Sequence, residues 1–189
     1  MRKQNAKNTL MERIYMGKFI KKYDMDFYSL SRDCFVSQLN KVSIDIDIDC
    51  INEENLEANK FFYPNRYKLW RGNLKKGAKG LFAIYGGRVV GYGWLKKKGS
   101  KDTFYRFGKD IAYLSEFYVE DSFRGKGIYP ALLSQLILSS PEYHRYFISA
   151  YTSNVSSCKG LLKVGFERIC SFTFIRAFKI TFNKHKIIL

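Results

Sequence analysis

The residues of this chain best suited to chemistry lie in Ile111–Ser139, IAYLSEFYVEDSFRGKGIYPALLSQLILS. The stretch opens as an alternating, β-branched and aromatic run from Ile111 to Val119. It turns through Asp121, Ser122, Phe123, Arg124, Gly125, Lys126 and Gly127. It then takes up a helical period, with Ile128, Leu132, Leu133, Leu136 and Ile137 on one face. A strand that passes through a glycine-containing loop into a helix N-terminus is a phosphate cradle. Glycine lets backbone N–H groups converge on an anion, and the helix dipole favours negative charge there. A second cluster is acidic: residues 42–59 hold Asp45, Asp47, Asp49, Glu53, Glu54 and Glu57 and no Lys or Arg. It reads either as a solvated face or as a negative patch that draws a cationic amine.

Other chemistries find less support. Cys34, Cys50, Cys158 and Cys170 form no CxxC pair, and the two histidines stand far from metal-ligand spacing. No metal site is expected, and the thiols read as reduced in a cytoplasmic protein. The 189 residues fit one domain, and 46% hydrophobic with 17% aromatic residues argues against disorder. The net charge of +16 points to an anionic partner, whether a nucleotide cofactor, a nucleic acid or an anionic surface, although compositional bias alone also raises the pI. No apolar run reaches the ~18 residues of a membrane span. Residues 1–10, MRKQNAKNTL, read as a disordered basic tail and not as a secretory signal, and residues 183–189 as a second tail.

Several elements must position the glycine turn. Met11–Tyr23 reads as a first strand. Asp24 or Asp26 caps a helix to about Gln38 that buries Phe27, Leu30, Cys34 and Phe35. Val42–Asp49 alternates strictly, as a half-buried strand does, with an extended loop as the alternative. Glu53–Phe62 reads as a helix that Pro64 ends, or after which Pro64 begins a second through Tyr67, Leu69, Trp70 and Leu74. Leu81–Tyr85 and Val89–Leu95 flank Gly86-Gly87-Arg88, a hairpin signal, and Lys96–Lys109 reads as a basic loop. Pro141 stops the helix after the glycine turn. Tyr146–Thr152 is a strand, Ser156–Val164 a short helix closed by Gly165, and Glu167–Phe182 one or two final strands. Interleaved strands and helices favour an α/β or α+β sheet covered by helices.

Arg124-Gly125-Lys126-Gly127, after a strand ending in Tyr118-Val119, resembles motif A of the GCN5-related N-acetyltransferase (GNAT) superfamily. That pattern is Arg or Gln, two residues, Gly, one residue, then Gly or Ala. Downstream, Asn154, Ser157, Lys163, Gly165 and Phe166 stand at the spacing of the family's motif B. Arg88-Val89-Val90-Gly91-Tyr92 resembles its second-to-third-strand hairpin. Together these cover about residues 80–170.

The resemblance implies a mixed, mostly antiparallel sheet of about seven strands, splayed at two central parallel strands and flanked by about four helices. One domain would span residues 11–182, with residues 24–74 shaping the acceptor pocket and residues 80–170 forming the acetyl-CoA core. Acetyl-CoA would be the co-substrate, with no metal. Its pyrophosphate would rest on the backbone of Arg124, Gly125, Lys126, Gly127, Ile128 and Tyr129. Its pantetheine would pair with the strand around Phe117, Tyr118 and Val119 and meet Asn154, beside Ser157. A neutral amine would attack the thioester directly, with a backbone amide near Val119 polarising the carbonyl. Glu116, the only acid in its strand, is the candidate base; the bland alternative is an ion pair with one of the many basic residues. Strand alternation places it with Leu114 and Tyr118, opposite Ser115, Phe117 and Val119.

Two positions depart from the pattern. Tyr129 stands where the family has Gly or Ala, so that it either crowds the diphosphate or points outward. Leu161 stands where many members have a general-acid tyrosine. Tyr151, Tyr113 and Tyr118 are the substitutes, unless the thiolate (pKa ~8.5) leaves as the anion. The expected acceptor is a small amine or an amino sugar, nucleotide-linked sugars included. Two alternatives stay open: a ribosome- or nucleic-acid-associated acetyltransferase of a protein N-terminus, and an acyl-CoA-binding protein with little catalysis. The lysines are scattered and no nucleic-acid motif appears, which weighs against nucleic acid as a partner. The chain is expected to be a monomer or a homodimer.

Overall fold

In the computed structural model, which describes residues 20–60, 63–96, 111–177 and 180–183, eight strands form one mixed sheet. They are β1 (Ile20–Ser31), β2 (Asp47–Cys50), β3 (Lys79–Tyr85), β4 (Arg88–Lys96), β5 (Ile111–Val119), β6 (Arg145–Tyr151), β7 (Glu167–Ala177) and β8 (Ile180–Asn183). The spatial order is β2-β3-β4-β5-β6-β1-β7-β8. Among the described residues only β5 and β6 run parallel; every other pair is antiparallel. The helices are α1 (Glu53–Ala58), α2 (Pro64–Lys75), α3 (Ile128–Leu138) and α4 (Val155–Val164). The mostly antiparallel sheet with its central parallel pair and four helices is the expected architecture, with one strand more than expected.

β1 overturns the helix expected from Asp24 to Gln38. Residues 20–31 form β1, between β6 and β7 and antiparallel to both, with Met25 opposite Tyr151 on one side and Phe172 on the other. Phe27 and Leu30 lie on opposite faces of this strand, not along one helical stripe. Leu30 enters the main core, and Phe27 packs edge-to-face on Phe172 at 5.2 Å. A strand buried on both faces loses its period of two, so apolar spacing alone does not separate it from a helix. The expected strand over Met11–Tyr23 falls outside the described residues up to 19, as does the tail at 1–10.

Two layers cover the sheet. On one face, Leu132, Leu133 and Leu136 of α3, with Leu161 and Val164 of α4, pack on Leu81, Ala83, Val90 and Leu114. On the other, Trp70 of α2 packs on Phe82, Val89, Tyr92 and Trp94, with ring centroids 4.8 Å from Tyr92 and 5.3 Å from Phe82. The alternation of residues 42–49 holds as burial but only partly as a strand. Val42, Ile44, Ile46 and Ile48 pack against the main core, and Asp45, Asp47 and Asp49 are exposed. Only Asp47–Cys50 pairs, with β3. The Ser43 N–H instead donates to the Lys126 carbonyl at 3.0 Å, which ties this segment to the glycine turn. Asn52 and Asn55 cap α1 reciprocally, and Pro64 opens α2.

Burial pushes the hydroxyl pKa up at Tyr28, Tyr63, Tyr92, Tyr129, Tyr143 and Tyr146. For Tyr63, burial and then its hydrogen bond to Glu120 push it up to about 12. A raised folded-state pKa adds stability that is full below the unfolded value of ~10 and is lost as pH rises through the folded value. Thermal melts should therefore be level up to about pH 10 and fall steeply toward about 12. These six tyrosines should ionise together with unfolding; full ionisation of all six in the folded protein near pH 10 would contradict this.

Candidate active site

The site begins where the parallel pair parts. β5 and β6 are in register from Ile111–Arg145 to Leu114–Ile148 and no further. Beyond that point Ser115–Val119 pairs with β4 alone, and Ser149–Tyr151 with β1 alone, among the described residues. This leaves a strand edge facing a cleft in the middle of the sheet. An extended ligand can pair with such an edge as an added strand does. The Tyr113 and Ser149 hydroxyls, 3.0 Å apart, bridge the two strands where they separate.

A bulge lies at the same place. The β4–β5 register shifts between Tyr92 and Trp94, and Glu116 takes φ +58°, in the left-handed region. For a residue with a Cβ this costs about 1–2 kcal/mol. Gly93 on β4 makes room: a Cβ there would lie 2.2 Å from the Phe117 ring. The bulge overturns the expected alternation. Ser115 lies opposite Trp94, Tyr118 opposite Tyr92, and Glu116 reaches α2, so all three project to the α2 face. Leu114, Phe117 and Val119 pack on the other side, with the α3 core.

Glu116 is held at both oxygens. Asn73 of α2 donates its side-chain N–H to Oε2 at 2.9 Å, and the Lys96 ammonium lies 2.9 Å from Oε1. Asn73 and Lys96 were not singled out in the sequence. The available signals were a polar residue on the buried side of α2 and a lysine ending a strand. Tyr118 lies against Tyr92 with centroids 5.6 Å apart. Tyr151 shares the α2 face, because Tyr146, Ile148 and Ala150 of the same strand enter the core on the other side. Glu116 and Tyr151 thus flank the cleft from β5 and β6 on one face of the sheet. Tyr151 is half exposed and lies 5.9 Å from Tyr23 of β1.

The glycine turn is asymmetric. Gly125 and Gly127 have φ +79° and +85°. A Cβ on Gly127 would lie 2.6 Å from the Lys41 carbonyl oxygen, whereas one on Gly125 would meet nothing within 4 Å. One side of the turn is therefore closed by the backbone of Lys41–Ser43 and the Gly125 side is open. The N–H groups of Ile128 and Tyr129 belong to the first helical turn and have no intrahelical acceptor; Pro130 contributes none. Arg124 braces the loop, donating to the Val119 carbonyl at 3.2 Å and pairing with Asp121 at 2.8 Å. The Lys126 ammonium lies 4.9 Å over the Phe123 ring.

Tyr129 neither crowds the turn nor points outward. It points inward, between α3 and α4, edge-on to Phe117 at 5.3 Å. A Cβ on Gly160 of α4 would lie 2.7 Å from its ring. The glycine within α4 makes space for the tyrosine on α3, a pairing legible only once the two helices are side by side. Leu161 is fully buried in the core. Asn154 is the N-cap of α4, its side-chain oxygen accepting from the Ser157 N–H at 3.2 Å. Among the described residues no group of three or more His, Cys, Asp or Glu could hold a metal, and no helix is long and apolar enough to cross a membrane.

A mixed sheet that splays at the one parallel pair among its described strands, with a glycine turn leading from the first of those strands into a helix, defines the GNAT fold. The model of the acetyltransferase (GNAT) family matches residues 27–166, and the chain belongs to that family. Among solved structures, a functionally unknown conserved protein from Staphylococcus epidermidis is 11% identical over 90% of this chain and 67% of its own, with TM-score 0.60. A GNAT-family acetyltransferase from Colwellia psychrerythraea is 17% identical, covers 85% of this chain and 57% of its own, and has TM-score 0.58. The chain thus spans little more than half of the second structure. AAC(6')-Iy, in complex with the bisubstrate analog CoA-S-monomethyl-acetylneamine, is 18% identical over 66% of this chain and 92% of its own, with TM-score 0.52. At these identities the likeness is one of fold. No curated protein matches the chain.

Proposed function

We propose that this protein transfers an acetyl group from acetyl-CoA to a primary amine on a small molecule, an amino sugar being the favoured acceptor. The observation that carries the reading is Glu116, held at the parting of β5 and β6 in a strained backbone conformation by Asn73 and Lys96. Strain of this kind persists where the surrounding structure over-determines it, and it clusters at functional sites.

The residues present fit the co-substrate. The backbone of Phe117 to Val119 offers an unpaired edge for the pantetheine arm. The turn at Arg124, Gly125, Lys126 and Gly127 and the N–H groups of Ile128 and Tyr129 would hold the diphosphate from the open Gly125 side. Asn154 and Ser157 stand at the head of α4, beyond the end of β6. Acetyl-CoA supplies the activated thioester. Glu116 accepts the proton of the attacking amine; each carboxylate oxygen keeps a lone pair beyond its present partner. Tyr151, on the same face across the cleft, returns a proton to the leaving thiolate in place of the buried Leu161. Residues 24–74, from β1 to α2, shape the acceptor side.

The test is a panel of linear amines, amino sugars and nucleotide amino sugars, assayed for CoA release with acetyl-CoA present. Release with amino sugars above linear amines supports the reading. Acetyl-CoA that raises the melting temperature with no amine turned over would replace it with acyl-CoA binding without catalysis.

A further inference from the structure

A base that takes the proton of an attacking amine must have that nitrogen within hydrogen-bond distance of one of its oxygens. At Glu116 a primary amine already stands there: the Lys96 ammonium, 2.9 Å from Oε1. Its position follows from the strand register. Lys96 ends β4, the strand beside β5, and its partner across the ladder is Tyr113. Residues directly opposite each other project to the same face of a sheet. The Tyr113 hydroxyl lies 3.0 Å from that of Ser149, where β5 and β6 separate. Lys96 therefore stands on the α2 face, with Glu116 and Tyr151, and its side chain ends on the carboxylate whose other oxygen accepts from Asn73.

The pair differs from an ordinary surface contact. The side chains of Lys96 and Glu116 are 22% and 21% exposed, against 64% and 51% for Lys22 and Asp24. The amine is thus partly shielded from water without being sealed in the core. It also differs from the guanidinium of an arginine, because an ammonium that gives up one proton becomes a nucleophile.

We propose that Lys96 is a modification site: with no external amine present, the protein acetylates Lys96 of its own chain. The proposal rests on the acetyltransferase reading, with Glu116 as the base. The Lys96 ammonium passes one proton to Glu116, and the neutral nitrogen attacks the carbonyl carbon of the thioester. A nitrogen–carbon bond forms and the carbon–sulfur bond breaks. Of the two protons that the nitrogen loses, one goes to the departing CoA thiolate and one, through Glu116, to water. The product is a neutral amide, so the chain loses one positive charge and Glu116 loses its ionic partner.

The full chain is incubated with acetyl-CoA alone, and its intact mass and tryptic peptides are followed with time. One acetyl group per chain is expected, on Lys96, at a rate constant independent of protein concentration. Lys96→Arg keeps a cation beside Glu116 but carries no nucleophile, so this variant should take up no acetyl group. Glu116→Gln should slow the uptake at Lys96 by about 10²-fold or more. Uptake scattered over exposed lysines, uptake at Lys96 that Glu116→Gln leaves unchanged, or a rate constant that rises with protein concentration would overturn the proposal. The amine panel, run on the same preparation, separates the proposal from the reading beneath it. Panel amines acetylated with Lys96 untouched overturns self-acetylation alone, and no acetyl group on either overturns both. Acetyl-Lys96 with no panel amine turned over upholds the proposal and leaves the chain's own lysine as the acceptor.

Discussion

Glu116→Gln should lower acetyl transfer by about 10²–10⁴-fold, the usual contribution of a positioned base, and change acetyl-CoA affinity far less. Gln has the shape of Glu and still accepts from Asn73, so the bulge survives and the 2.9 Å contact with Lys96 loses its charge. That loss should cost about 1 kcal/mol, because both partners are partly exposed to solvent. Glu116→Gly sharpens the test. Glycine relieves the +58° φ, a gain of about 1 kcal/mol, but it removes the Lys96 pair and leaves the buried Asn73 amide without its acceptor at about 1–3 kcal/mol, so the melting temperature should fall modestly while turnover disappears. A Gln variant that keeps full turnover but melts earlier would make Glu116 a structural ion pair instead. Steady-state kinetics, calorimetry with acetyl-CoA and thermal melts on the two variants decide between these outcomes.

The second large effect concerns Tyr129 and Gly160. Glycine within a helix normally gives up ~1 kcal/mol relative to alanine, yet here a Cβ would lie 2.7 Å from the Tyr129 ring. Gly160→Leu should therefore destabilise by about 3 kcal/mol through overpacking, and Tyr129→Ala by about 3–5 kcal/mol through the cavity left behind. Combined, the two should cost clearly less than their sum, with a coupling energy of about 2 kcal/mol or more. Denaturant unfolding of the four proteins in this cycle measures it. Strict additivity would mean that the ring and the glycine do not fill one shared space. Tyr129→Ala with Gly160→Leu also returns position 129 to the small residue of motif A, so the double variant should still bind acetyl-CoA if the diphosphate lies on the turn.

The contrast between the glycine turn and β1 shows what kind of information sequence carries. The turn, the Gly86-Gly87 hairpin and the Gly165 cap rest on backbone conformations that few residues adopt, with φ of +56°, +77° and +99° at Gly86, Gly87 and Gly165. Such conformations mark themselves by residue type within a few positions. β1 carries no such mark. It is buried on both faces, its partners lie more than a hundred residues away, and its apolar spacing suits a helix equally well.

Sequence alone therefore determined the order of elements from β3 to α4, the glycine turn at the head of α3, and membership of the GNAT superfamily through two motifs in sequence. The tertiary structure decided where side chains point. The bulge at Glu116 depends on Phe117 occupying the space beside Gly93 on the neighbouring strand, and it moves the carboxylate to the α2 face. Tyr129 turns inward because Gly160, on another helix, carries no side chain. The Tyr23 and Tyr151 rings meet because β1 pairs with β6. Each depends on the volume of a residue distant in the chain, and that is settled only when the elements pack.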